Sequence, residues 1–282
     1  MALPTYASRA ERVGYWSYLG FCSLVLFFLI APILIIVPLS FNATPYFTFT
    51  EGMMNLEPEA YSLRWYQEMI ENQQWRQALQ NSTFIALMAA ILATLLGTLA
   101  ALGLSNEKVP FRNAILALLI SPMIVPVIIS AAAMYFFYTR FGLAQTMPGI
   151  ILAHAALGTP FVVITVSATL SGFDHSLTKA AASLGANPVY TFRTVTFPLI
   201  RPGMISGGLF AFGTSFDEVV VALFITGAEQ RTVPRQMWSG IREQISPTIL
   251  AVASLLILMS VLLLVTLEYL RRRNMKIRGI DE

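Results

Sequence analysis

SGFDHSLTKAAASLGANPVYTFRTVTFPLIRPG, residues 171–203, joins two apolar runs, and its punctuation predicts two short helices at a bend. Asp174 is placed to cap a first helix, HSLTKAAASL, and Gly185 to end it, as glycine does just past a helix C-terminus. Asn187 can cap a second helix, with Pro188 at its first helical position and Pro198 as its break. The apolar positions Leu177, Ala180, Ala181, Leu184, Val189 and Phe192 then sit outside any hydrocarbon. They either cover the protein's own helices or meet a partner protein.

The flanking runs set the class. The chain has 282 residues, 56% of them hydrophobic and only 12% charged, where a soluble domain carries about a quarter charged residues. The apolar excess falls in blocks of about 20 residues, the length of a helix that crosses roughly 30 Å of hydrocarbon. We read an all-α polytopic membrane protein with six spans: Tyr18–Leu39, Leu79–Leu102, Ala114–Tyr138, Met147–Leu170, Gly203–Ile225 and Pro247–Tyr269. The first is too long for a signal-peptide core, and no small-x-small cleavage pattern follows it. Pro122 and Pro126 predict a kink in the third.

Lys and Arg are retained on the cytoplasmic side. With the N-terminus inside, the inner segments carry 12 of them and the outer segments 6, so both termini are expected in the cytoplasm. The tail RRRNMKIR reads as a basic stop after the last span rather than a nucleic-acid patch. The first outer loop, Ser40–Ala78, contains SLRWYQEMIENQQWRQAL, where Leu63, Tyr66, Ile70 and Leu79 recur at roughly helical intervals. An amphipathic helix on the outer surface fits that pattern, as a docking surface or as a cap on the bundle.

Two acids stand inside the fifth apolar run, AFGTSFDEVVVALFITG, Ala211–Gly227. Each ionised acid at the centre of a lone helix costs roughly 2.5–3.5 kcal/mol, so Asp217 and Glu218 must face protein or water. Thr214 with Asp217 and Ser215 with Glu218 have the spacing of a capping box, and Gly207, Gly208 and Gly213 precede them. A span that breaks near Gly213 and restarts at Ser215 is the expectation, with both acids in the first turn of an outer half-helix. Either they only hold the break, or at least one lines a path and attracts a cation. Neighbouring helical residues point about 100° apart, so the two cannot face one lumen equally.

Other candidates are weaker. Tyr135, Phe136, Phe137 and Tyr138 can offer ring faces to a cation or form an interfacial belt. His154 reads as a hydrogen-bonded residue of the bundle or a titrating one. Cys22 is the only cysteine, so the chain has no internal disulfide and no thiolate cluster for a metal. No Walker A loop, zinc spacing or Ser-His-Asp arrangement is recognisable, which leaves any driving energy to another chain.

The loop resembles the EAA loop of permease subunits of type I ABC importers. That pattern is Glu-Ala-Ala, three residues, Gly, nine residues, then Ile-x-Leu-Pro. Here Lys179-Ala180-Ala181, Gly185 and Val195-Thr196-Phe197-Pro198 keep every spacing. Lys179 stands where the family has Glu, reversing the charge. The segments QALQNSTFIALMAAILATLLGTLAAL, FPLIRPGM, SFDEVVVALFITG and RTVPRQMWSGIREQISPTI resemble the spermidine/putrescine branch, from about Gln77 to the end of the last span. The apolar runs and the Lys and Arg distribution give a cytoplasmic segment over 1–17 and a first helix and periplasmic loop over 18–76, and the resemblance implies a permease core over 77–270. The EAA loop would occupy about 171–202, and a basic tail 271–282.

It implies an inner-membrane permease working by alternating access on a small cationic solute such as a polyamine. The partners would be a second homologous permease, two cytoplasmic ATPase subunits and a periplasmic solute-binding protein. ATP and Mg²⁺ would be bound by the ATPase and no cofactor by this chain. The path residues would be Asp217, Glu218, Ser215 and Tyr135. The coupling residues would be Lys179, Ala180, Ala181, Leu184, Gly185, Val189, Phe192 and Pro198. An importer for an amino acid, opine or similar solute, an ion-coupled carrier using the acids as a proton relay, and a membrane scaffold are the alternatives.

Overall fold

A computed structural model describes residues 8–277 apart from Glu107, His175 and Gln244, and leaves out the side chains of 243, 271 and 273–277. His175, expected to open the first loop helix, and the end of the basic tail lie outside the described residues. The elements are α1 (Arg9–Leu39), α2 (Glu51–Met54), α3 (Arg64–Glu71), α4 (Gln73–Leu104), α5 (Arg112–Ile124), α6 (Val127–Arg140) and α7 (Met147–Ser171), followed by α8 (Ser176–Ser183), α9 (Pro188–Thr191), α10 (Phe197–Asp217), α11 (Val220–Ile225), α12 (Val233–Glu243) and α13 (Thr248–Ile277). Among the described residues there is no strand, only an isolated bridge between Asn42 and Tyr61.

The protein is an all-α membrane protein. Among the described residues five helical segments are long and apolar enough to cross a bilayer, and six if α5 and α6 form one span. That pair departs from the expected kink, because its helices turn through 104°. The reversal sits at Val125 and Pro126, both extended with ψ near 130°. A residue before proline avoids the helical region, and proline cannot donate to the preceding turn. Pro122 is absorbed inside α5.

The fifth span also begins earlier than expected. Pro198 does not break the second loop helix. Residues Phe192–Thr196 form a π-helical turn, and Pro188–Asp217 runs on as one helical segment. The Phe197 N–H reaches back five residues to the Phe192 carbonyl. Such a widened turn makes room where the Pro198 ring would otherwise meet the carbonyl four residues before it.

The chain forms two compact units, Met1–Glu71 with Ile245–Leu258, and Asn72–Gln244 with Met259–Glu282. The expected long outer helix is two: α3, in the first unit, ends at Glu71, and Asn72 caps α4, its Oδ1 accepting from the Gln74 N–H at 2.9 Å. The buried positions of α3 are Trp65 and Met69, four apart, while Leu63 and Ile70 are exposed. The polar pairing explains the choice of face. Trp65 Nε1 donates to the Asn42 carbonyl at 2.7 Å, Tyr66 Oη and Ser40 Oγ lie 2.7 Å apart, and Glu68 accepts from Thr248 Oγ1 at 3.0 Å.

The second unit is centred on α4, α7 and α10. Ala90, Ala93, Ala101, Val162, Val166, Ile200 and Ala211 make one dry core among them. Small residues let the backbones approach, as in packed membrane helices. A Cβ added at Gly207 would lie 2.7 Å from Val162 Cα, and one at Gly203 would lie 2.9 Å from the Thr165 carbonyl oxygen. A second core joins Ile85, Tyr138, Ile150 and Leu157 to Val221 and Ile225 of α11.

Candidate transport path and coupling surface

The fifth span breaks, but five residues later than expected. α10 passes through Gly213 without interruption and ends at Asp217; Glu218 is extended, and α11 starts at Val220. The two expected capping boxes therefore do not form. Thr214 and Ser215 stay inside α10, and Ser215 is buried with its Oγ 2.8 Å from His154 Nδ1 on α7. That bond, together with the close contact at Gly207, holds the last turns of α10 against α7.

The acids have different surroundings. Glu218 Oε1 accepts from the Val221 N–H at 2.9 Å, so this carboxylate caps the second helix. Asp217 is exposed and has no hydrogen bond or ion pair among the described residues. It stands at the C-terminal end of α10, where the helix dipole already places partial negative charge. A carboxylate so placed gains from a nearby cation. Tyr135 is half-buried on α6, while its neighbour Tyr138 is the ring that packs in the core with α11.

The end of the unit where α11 and α12 meet carries a clamp that no sequence pattern announced. The Arg235 guanidinium donates to the Thr226 carbonyl and hydroxyl and, at 2.7 Å, to the Gly227 carbonyl, closing the C-terminal end of α11. Asn81 Nδ2 donates to the carbonyls of Glu229 and Arg231 at 2.7 and 3.0 Å, and Ser82 Oγ accepts from the Val233 N–H at 2.8 Å. The Asn81 and Ser82 pairs are about 150 residues apart, so only the folded chain reveals them. Arg235→Ala leaves a buried threonine hydroxyl and two carbonyls without their donor. We expect a loss of about 2 kcal/mol, read as a lower melting temperature of the purified protein, with Arg235→Lys in between. An unchanged melting temperature in Arg235→Ala would refute the clamp.

The loop follows its punctuation. Asp174 Oδ1 accepts from the Ser176 N–H, and Asn187 Oδ1 from the Tyr190 N–H, each at 2.8 Å. Gly185 is left-handed at φ +80°, and the Gly185 and Ala186 N–H groups bond the Ala182 and Ala181 carbonyls, both at 3.0 Å. That is the Schellman arrangement, which satisfies the last carbonyls of α8. Leu184 is 89% exposed, and Leu177, Val189, Tyr190 and Phe192 are exposed as well. Ala181 is half-buried, and Ala180 and Pro198 are open to the surface. Lys179 is exposed and makes no ion pair among the described residues. The resulting surface is apolar, low in charge and rigidly capped.

The family model described as the inner membrane component of binding-protein-dependent transport systems matches residues 93–276. The chain is similar to the spermidine/putrescine transport system permease protein PotC of Haemophilus influenzae, 31% identical over 90% of this chain and 96% of that protein. It is also similar to the putrescine transport system permease protein PotI of Escherichia coli K12, 32% identical over 82% of each. Among solved structures, a bacterial ABC transporter that imports the acidic polysaccharide alginate aligns with a TM-score of 0.68 and 16% identity. That alignment covers 96% of this chain and 99% of the other.

Proposed function

Since this chain belongs to the family of inner membrane components of binding-protein-dependent transport systems, we propose that it carries a polyamine, such as spermidine or putrescine, across the inner membrane. It is a transport permease subunit, and the energy comes from a separate ATPase that binds ATP and Mg²⁺. In the assembly we propose, this chain pairs with a second, homologous permease. Two ATPase subunits dock on the loop helices α8 and α9, and a periplasmic solute-binding protein delivers the solute. Both termini then lie in the cytoplasm, in keeping with the Lys and Arg distribution.

The observation that carries the solute reading is Asp217: an exposed, unpaired carboxylate at the break of the fifth span. Its position at a helix C-terminus favours a passing ammonium group without locking it in a cage. The similarity to PotC and PotI names the solute class for which such an acid is useful. Closure of the ATPases, transmitted through α8 and α9, moves α7 and α10 together as packed bodies. The path then opens alternately to each side.

The test is uptake by the reconstituted complex, with its binding protein, across spermidine, putrescine, an amino acid and a disaccharide. Polyamine-selective, ATP-dependent uptake is expected; selective uptake of the disaccharide or amino acid would refute the solute assignment. In the same vesicles, Asp217→Asn should lower uptake about fivefold at low solute, the size of a partly exposed charge interaction. Glu218→Gln keeps an acceptor for the Val221 N–H and should transport nearly normally. Equal effects of the two substitutions would contradict the separate roles given to these acids.

A further inference from the structure

Where α4 and α7 end beside the start of α5, a cavity of about 320 Å³ opens next to the coupling loop. Its lining mixes polar and apolar groups: Arg112, Ser105, Ser167 and Ser171 with Leu170 and Phe173. Among the described residues no acidic side chain lines it. Arg112 is exposed and forms no ion pair, and half-buried Ser167 makes no hydrogen bond, among the described residues, so a guanidinium and a hydroxyl are open to a ligand. The hydroxyls of Ser105 and Ser171 are spent on the carbonyls of Leu102 and Ala168, at 2.7 and 2.8 Å. Beside the cavity, Phe111 holds a left-handed turn with its ring 84% exposed, the habit of an aromatic at a membrane interface.

We infer that this cavity binds a phosphate ester, supplied by the headgroup of an anionic phospholipid of the cytoplasmic leaflet. Arg112 supplies the charge-assisted, fork-shaped contact that phosphate prefers. The apolar part of the lining suits the glycerol and first acyl carbons, and free phosphate would leave it unused. Basic pockets between membrane helices on the cytoplasmic side have this chemistry. The inference rests on the orientation proposed above, which puts the loop in the cytoplasm. Because Ser171 and Phe173 lie where α7 passes into the loop, a bound headgroup would brace the joint through which coupling motion travels.

The test uses the intact complex in nanodiscs of phosphatidylcholine, with and without phosphatidylglycerol, and counts retained lipid by native mass spectrometry. Wild-type complex should retain phosphatidylglycerol selectively. Arg112→Gln should lower that retention about fivefold, and Arg112→Lys should restore most of it. Unchanged retention in Arg112→Gln would overturn the site. Displacement of the lipid by millimolar inorganic phosphate or glycerol 3-phosphate would overturn the lipid as its source. Polyamine-stimulated ATP hydrolysis on the same samples keeps the two readings apart. If hydrolysis responds to polyamine while lipid retention does not depend on Arg112, only the lipid site fails; the converse sinks only the transport assignment.

Discussion

Gly207→Ala should destabilise the protein nearly as much as Gly207→Leu, because the obstruction begins at the first side-chain carbon. A Cβ there would sit 2.7 Å from Val162 Cα, a backbone atom that cannot rotate aside. α10 would have to move away from α7, opening the core that contains Val162, Val166, Ile200 and Ala211. Overpacking in a well-packed core costs roughly 1–3 kcal/mol and more when backbone is involved. The expected readout is a large fall in the monodisperse fraction and melting temperature after detergent extraction. Gly103→Ala and Gly213→Ala supply the contrast. Among the described residues the first meets nothing within 4 Å, and the second meets only Leu263 Cδ1 at 3.7 Å. Neither should destabilise the protein, and Gly103→Ala can gain about 0.5–1 kcal/mol inside its helix. If all three alanine variants behave alike, close approach at Gly207 is not what holds the helices together.

The same glycines mark the limit of what one sequence discloses. Gly207, Gly208 and Gly213 look like flexibility ahead of two acids, and a break near Gly213 follows from that view. Their role is instead tertiary: Gly207 faces α7 and Gly208 faces Thr94 of α4, which keeps α10 straight as far as Asp217. Properties written along one dimension were legible. Apolar length marked the spans, and local caps marked α8 and α9, because Asp174, Gly185 and Asn187 act within a few residues of themselves. The prolines were visible but not their outcome. Pro126 reverses the chain through 104°, whereas Pro198 rides within a continuous segment because a π turn makes room for it.

The candidate site divides in the same way. Carboxylates in an apolar run announce themselves by their cost, whatever surrounds them. Which acid is engaged depends on where α11 starts, and that is decided by its packing against α6 and α7. Ser215 looked like a cap from its spacing and is buried against His154, a partner 61 residues away. Arg235 and Asn81 drew no notice, since their acceptors are backbone carbonyls with no residue-type signature.

Gly185→Glu should leave a folded, membrane-inserted permease that no longer couples ATP hydrolysis to uptake. Its φ of +80° is costly for any residue with a Cβ, about 1–2 kcal/mol, and that strain falls on an exposed turn rather than on the core. Among the described residues nothing lies within 4 Å of a Cβ at this position, so the chain itself has room for the larger side chain. The obstacle would arise only when Leu184, Val189 and the turn between them are pressed against the ATPase. There a glutamate brings bulk and an ion that loses its water, a cost of several kcal/mol for a buried unpaired charge. Gly185→Ala carries the same backbone strain without the bulk or the charge. The expected order is therefore an equal, modest fall in stability for both, partial uptake for alanine, and uptake reduced at least a hundredfold for glutamate. ATPase subunits should also be lost from the purified complex, or their hydrolysis should become independent of solute. If alanine and glutamate fail equally, the Schellman turn itself is what matters. If glutamate transports normally with a full set of ATPase subunits, the apolar face of α8 and α9 is not the surface on which they dock.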